Sequence, residues 1–363
     1  MKKTIAIVAL MLVTISTYGL SVIFAGRSGA AQEAIAGDWT AKIKETPRGT
    51  MLWLSLQSES PNRRGRFNSS CDVPLQEFSG LSPNSSGNVQ FNLTREAGTV
   101  AFKGLFQDGR GVGEFQFNAN NGFISTMRNL GFGDVAPEKL FPMTIHDVST
   151  KFAGEMKSLG FADLSVDKLI AMRIHRVDGD FVRRMRAAGY DDLSSDNVIA
   201  MRIHGVDENF VKEVEALGFK KQPIDKLIAM RIHRVDGDFI SKVKMLGFND
   251  LTIDQLITMQ IHRIDEEFIK GLQMLGYSNL PFDKLVAMRI HQVDGKFVKE
   301  LEDAGYSRLP ADKLVTMRIH RVDGKFIKEM KEAGYSNLSV DDLINLRIHG
   351  VDASYIKKMK GAQ

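Results

Sequence analysis

The feature that most constrains this chain is the spacing of its histidines. All eight, His146, His175, His204, His233, His262, His291, His320 and His349, fall 29 residues apart. The glycines Gly131, Gly160, Gly189, Gly218, Gly247, Gly276, Gly305 and Gly334 keep the same step. A fixed period in the range of roughly 20–50 residues marks a repeat array, in which one supersecondary unit recurs and buries its apolar face against its neighbours.

One unit reads from Ser165 to Leu193. Val166 to His175 has the pattern of a short first helix, with Ser165 as its cap and Asp167 in the first turn, where the helix dipole favours an anion. Ser194, Thr252 and Ser339 repeat that cap, and Pro223, Pro281 and Pro310 also suit a helix start. Asp178 is placed to cap a second helix, Asp180 to Ala188, and Gly189 to end it in the left-handed conformation. On a helical wheel the second helix gathers Phe181, Val182, Met185 and Ala188 on one side. The first helix shows a wider apolar arc of Leu169, Ile170, Met172, Ile174 and Val177, which implies neighbours on more than one side. Helices of about ten residues are too short to be stable alone in water, so folding must come from stacking repeat on repeat. Asn120 to Phe132 matches a lone second helix, with Phe123 in the register of Phe181, and is expected to cap the array.

The histidines sit at the end of the first helix, opposite its apolar arc. Zinc wants about four ligands around one ion, and one histidine per stacked repeat does not converge in that way. No metal and no cofactor are expected. The ladder reads as structural, with side chains bonding helix-end carbonyls or the following turn. Arg173, Arg202, Arg231, Arg289, Arg318 and Arg347 recur within the apolar arc, with Gln260 in one unit. A buried guanidinium needs a partner, and the aspartates at the registers of Asp178 and Asp167 are the expected ones. In the first unit Thr144 and Ser149 replace the arginine and the capping aspartate together. Met143, Met172, Met201, Met230, Met259, Met288 and Met317 form a further ladder, read as core. The positions that vary on the expected surface are Arg176, Gly205, Arg234, Gln292 and Arg321, and they are the candidate partner surface.

From about Gly37 to Asn118 the period changes to alternation. Trp39–Ile43, Met51–Leu56, Arg64–Val73, Val89–Leu93, Val100–Phe106 and Gly113–Phe117 read as strands between clusters of Gly, Pro, Asn and Ser. They are expected to form a small antiparallel sandwich or partly closed barrel around Trp39, Trp53, Phe115 and Phe117. The lone Cys71 rules out an intrachain disulfide and reads as a buried, inert thiol.

The N-terminus has the pattern of a secretory signal: Lys2-Lys3, a charge-free apolar run from Thr4 to Gly26, then Ser28-Gly29-Ala30. The same run is long enough to act instead as an anchor. Either way the remainder is expected outside the cytoplasm. Without the three cations of that segment, 48 basic residues become 45 against 44 acidic ones, and nothing calls for a nucleic-acid partner. The expected organisation is a signal or anchor at 1–30, a linker at 31–36, a β-rich domain at 37–118, a capping half-repeat at 119–132 and eight repeats at 133–363. In class this is an α+β multidomain chain with an α-solenoid of helix-turn-helix repeats. The sequence has no His-Glu-x-x-His, no Gly-x-Ser-x-Gly and no phosphate-binding glycine loop.

The repeat core from Leu169 to His175, followed by the Val-Asp and Phe-Val-Lys-Glu elements, resembles repeats in the extracytoplasmic C-terminal regions of BlaR1-like bacterial sensor proteins of the M56 peptidase family. Gly37-Asp38-Trp39-Thr40-Ala41 and Gly111-Val112-Gly113-Glu114-Phe115 resemble the β segment that accompanies them. The likeness spans about residues 37–363. It lacks the zinc-binding peptidase part, so it implies an envelope module for sensing or interaction without that activity. The expectation is a non-enzymatic exported scaffold in the periplasm or cell envelope that binds a protein or peptide, touching the membrane only through an uncleaved N-terminus. The alternative is a small-ligand or lipid carrier using the β-rich domain.

Overall fold

A computed structural model of the chain describes residues 35–59 and 66–361. The expected signal at 1–30, most of the linker and the first residues of the strand expected from Arg64 lie outside the described residues. The described residues form two compact units, one made of those up to 183 with 192–199 and the other of 184–191 with those from 200 onward.

The first unit opens with one curled antiparallel sheet. Its strands are β1 (Ala36–Thr46), β2 (Gly49–Glu59), β3 (Arg66–Pro74), β4 (Phe78–Ser79), β5 (Gly87–Arg95), β6 (Gly98–Gln107) and β7 (Arg110–Ala119), in spatial order β3-β2-β1-β7-β6-β5-β4. All six expected strands are present, and β4, with two residues, is too short to leave a period in the sequence. Alternation sets the faces. Leu52, Leu54 and Leu56 of β2, Phe91 and Leu93 of β5, Val100 and Phe102 of β6 and Phe115 of β7 are buried on the inner face.

Trp39 fills the centre, and its indole N–H donates to the carbonyls of Lys103 and Glu114 at 3.2 and 3.0 Å. That approach needs the paired glycines Gly104 and Gly113. A Cβ on Gly104 would lie 2.8 Å from the indole and 2.1 Å from the Val112 carbonyl oxygen. Trp53 departs from expectation. It is adjacent in sequence to inward-facing Leu52 and Leu54, so the pleat turns it outward, half-buried beneath the Lys44 ammonium at 5.3 Å. Cys71 pairs with Leu54 and is half-buried; burial pushes its thiol up to about 11, so it stays protonated and inert at neutral pH.

Helices occupy the rest of the described chain. A lone second helix, α1 (Asn121–Asn129), is capped by Asn120. Eight pairs follow: α2 (Leu140–Ile145) and α3 (Thr150–Ser158); α4 (Val166–Ile174) and α5 (Gly179–Ala187); α6 (Ser195–His204) and α7 (Glu208–Ala216); α8 (Ile224–Ile232) and α9 (Gly237–Met245); α10 (Ile253–Ile261) and α11 (Glu266–Met274); α12 (Phe282–Ile290) and α13 (Gly295–Asp303); α14 (Ala311–Ile319) and α15 (Gly324–Glu332); α16 (Val340–Ile348) and α17 (Ala353–Gly361). Asp178, Asp207, Asp265, Asp294 and Asp323 each accept the amide N–H three residues on, which gives the second helices their start. The glycines at 29-residue spacing, from Gly131 to Gly334, all adopt positive φ and end them. In the second unit first helix packs on first helix, as in α8 with α10 and α12 with α14, and second on second, as in α11 with α13.

The sheet does not end the core of the first unit. Helix α2 packs against β6 and β7, with Leu140, Phe141, Met143, Thr144 and Ile145 all buried. Phe141 stacks on Phe115 with ring centroids 5.7 Å apart and meets Phe117 edge-on at 5.1 Å. Arg95, at the end of β5, donates to the carbonyls of Thr144 and Ile145 at 2.7 and 2.6 Å and pairs with Glu77. The adjacent Glu96 accepts the amide of Thr150 and so caps α3. The open side of the sheet is thus occupied by the first repeat.

Candidate interaction surface of the repeats

The repeat arginines do not pair as expected. Most reach back one repeat to the end of the preceding first helix. Arg173 Nε donates to His146 O at 3.0 Å, Arg289 to His262 O at 3.1 Å, Arg318 to Gln292 O at 3.1 Å and Arg347 to Arg321 O at 3.1 Å. Gln260 makes the same bond to Arg234 O. The guanidinium planes lie over the phenylalanines of the preceding second helices: Arg231 is 3.8 Å from the Phe210 centroid, Arg318 4.4 Å from Phe297 and Arg347 4.0 Å from Phe326. Helix-end carbonyls and a ring face do here what a carboxylate was expected to do; Arg173 adds an aspartate, Asp147. Asp178 is occupied as an N-cap. Asp167 pairs with Lys139 of the preceding repeat, and the same link recurs as Lys168–Asp196, Lys226–Asp254, Lys284–Asp312 and Lys313–Asp341. The Thr144 exchange also finds its reason: α2 follows a lone second helix, so no earlier first helix offers carbonyls, and the buried Thr144 hydroxyl donates to Leu140 O.

A comparison between two arginines checks this. Arg318 makes both the carbonyl bond and the ring contact, whereas the buried Arg231 Nε has no hydrogen-bond partner. We expect Arg318→Met to lower stability by about 2 kcal/mol, since a hydrogen bond to a charged group and a stacked cation are both lost. Arg231→Met should cost about half as much. Urea unfolding of the two variants measures the difference, and equal losses would remove the carbonyl bond from the account.

The histidines close the first helices through their backbones. His175 is the C-cap residue of α4, and its amide donates to Ala171 O at 2.9 Å; His233, His262, His291, His320 and His349 repeat the geometry. This replaces the expected side-chain bonds to helix ends. His146 stands apart. Burial and the nearby guanidinium groups of Arg95 and Arg173 hold its imidazole down at about 4, because each disfavours a second positive charge. Burial lowers His175 as well. The methionine ladder from Met143 to Met317 is fully buried.

The variable residue after each histidine has a definite conformation. Arg176, Gly205, Arg234, Arg263, Gln292, Arg321 and Gly350 all have φ between 53° and 69°. They are exposed, and their amides close the ends of the first helices, as Arg234 N does on Arg231 O and Gln292 N on Arg289 O. Left-handed backbone favours glycine, and a larger residue there costs about 1–2 kcal/mol. Arg263 and Gly350 share this conformation and belong with the candidate positions.

The isoleucine preceding each histidine corrects the wheel. Ile174 and its counterparts were expected to be packed. Ile203, Ile232, Ile261, Ile290, Ile319 and Ile348 are instead exposed, from 42% at Ile232 to 55% at Ile261. Only Ile145, in the repeat that meets the sheet, is buried. A wheel shows which side of a helix is apolar; it does not show that an array leaves one side of its first-helix layer without a neighbour. Among the described residues no helix is long and apolar enough to cross a membrane, and no group of three or more His, Cys, Asp or Glu side chains gathers within reach of one metal ion. Compared with family models and with curated proteins, the chain finds no match, so its functional reading rests on its own residues.

Proposed function

We propose that this chain is a non-enzymatic, exported scaffold of the bacterial envelope whose helical repeats bind a protein or peptide within a sensing or regulatory system. One observation carries the reading: exposed isoleucines recur at the ends of successive first helices, each two residues before a variable left-handed position. Exposed apolar residues that recur on one element of successive repeats fit an interaction site, and stacked repeats present such positions on extended binding faces. Export is supported by the Lys2-Lys3 start and the apolar run that follows. The carrier alternative is disfavoured by a sheet interior filled by Trp39, Phe91, Phe102 and Phe115 and covered by Phe141.

The test is retention of envelope proteins on the immobilised full chain and on an Ile232→Ser, Ile261→Ser, Ile290→Ser variant. These side chains are exposed, so the variant should fold, with changes within about 0.5 kcal/mol per site. The reading predicts a protein retained by the wild type and reduced at least tenfold on the variant. A protein held equally by both would place the interaction elsewhere.

A further inference from the structure

The exposed isoleucines of the second unit lie on helices whose two ends differ in charge. At the N-terminal ends three aspartates are paired with lysines of the preceding repeat, in Lys226–Asp254, Lys284–Asp312 and Lys313–Asp341, while Asp225 and Asp283 add further negative charge. At the C-terminal ends stand Arg234, Arg263 and Arg321, which pair with no carboxylate among the described residues. The strip therefore combines an aliphatic ladder with a row of cations along one edge, and its complement is apolar and acidic.

We propose that this strip binds an acidic polypeptide segment in the polyproline II conformation, with an apolar residue at every third position. The proposal rests on the interaction reading above and names its partner's chemistry. Packed helices lie about 8–10 Å apart, and the first helices α8 and α10, α12 and α14, and α14 and α16 pack directly, so their isoleucines are expected to recur at about that spacing. A polyproline II chain has three residues per turn and rises about 3.1 Å per residue, so one face recurs every ~9.3 Å. A β-strand turns its third residue to the opposite side. An amphipathic helix repeats a face every two turns, about 10.5–11 Å, and drifts out of register over successive repeats. A polyproline II chain is also extended before binding and loses little entropy on docking. Acidic residues beside the apolar ones would meet Arg234, Arg263 and Arg321. Gly205 and Gly350 take the same left-handed conformation in other repeats, so the backbone does not require arginine there and the arginines carry local strain.

The experiment titrates the full chain into a fluorescein-labelled peptide of six Leu-Pro-Glu triplets and follows anisotropy. We expect saturable binding that weakens with salt. Binding should fall at least tenfold for Arg263→Gly with Arg321→Gly, and at least tenfold for Ile261→Ser with Ile290→Ser. A peptide of the same composition with leucine at irregular spacing, and six Leu-Pro-Lys triplets, should each bind at least tenfold more weakly. Equal binding of the irregular peptide would overturn the proposal. So would no binding of the Leu-Pro-Glu peptide, or its displacement by phosphatidylglycerol vesicles that bind the same arginines. If the peptide fails while an envelope protein is still retained by the wild type and lost from the isoleucine variant, this proposal falls and the interaction reading stands. If that retention fails too, both fall.

Discussion

Phe141→Ala is expected to cost about 3–5 kcal/mol, the range for truncating a buried aromatic ring. Phe141 is 2% exposed and belongs to α2, yet it packs against Phe115 and Phe117 of β7. Its removal leaves a cavity between sheet and helix that neither can close, because Arg95 pins the end of α2 and Glu96 the start of α3. Loss of so much stability should therefore be felt by the sheet as well as the repeat. Both tryptophans of the chain, Trp39 and Trp53, lie in the sheet, so their fluorescence reports on it. The expected result in urea is a lower midpoint, with tryptophan fluorescence and near-ultraviolet circular dichroism moving together. An unchanged tryptophan midpoint would show that the sheet folds without the first repeat. Ile261→Ala serves as a control, since the same kind of loss at an exposed position should stay within about 0.5 kcal/mol.

Acid is expected to destabilise the first unit through His146. The folded imidazole titrates at about 4, against 6.5 for the ordinary group. As pH falls through 6.5 the unfolded chain takes up a proton that the folded chain refuses. The stability contributed by the neutral imidazole is thus complete above about pH 6.5 and is lost progressively down to about pH 4. At 1.36 kcal/mol per unit the full loss is about 3 kcal/mol. Arg95 and Arg173, which oppose the charge, are the groups that also bind the carbonyls at the end of α2, so they cannot move away without breaking that cap. Denaturation followed by tryptophan fluorescence at pH 7.0 and 4.5 checks this. A His146→Gln variant should lose less stability over that interval than the wild type, by about 2–3 kcal/mol. Equal losses would mean that carboxylates alone carry the acid response.

Much of this fold was legible in the sequence because its local signals agree. Asp178 and its counterparts cap as their spacing implies, and the glycines from Gly131 onward take the left-handed conformation expected of terminators. Alternation placed the strands. It also carries the correct side of Trp53, because its neighbours Leu52 and Leu54 face inward. What was not legible runs between repeats. The arginine bonds to carbonyls 26 or 27 residues back depend on how one unit sits on the next, which no single unit encodes. The joining of sheet and array is of the same kind: Arg95 has no motif, and it becomes meaningful only once Thr144 and Ile145 lie against it. The candidate surface was half legible. Its variable column was visible, whereas the isoleucine ladder beside it looked like core because its period is that of core.

Ladders of histidine, methionine and glycine build the repeats, and the proposed binding column of Arg176, Gly205, Arg234, Arg263, Gln292, Arg321 and Gly350 varies beside them. The backbone work of that column does not need arginine: the carbonyls of Arg234 and Arg321 accept bonds that a glycine in the same conformation accepts equally. The most direct measurement is the thermal unfolding midpoint of an Arg234→Gly, Arg263→Gly, Arg321→Gly variant. Relief of left-handed strain, about 1–2 kcal/mol per residue, exceeds the roughly 0.4–1 kcal/mol that glycine gives back through the unfolded chain. The midpoint is therefore expected to rise while partner binding falls. A lower midpoint would show that these arginines belong to the scaffold, and would contradict the reading of this column as a binding surface.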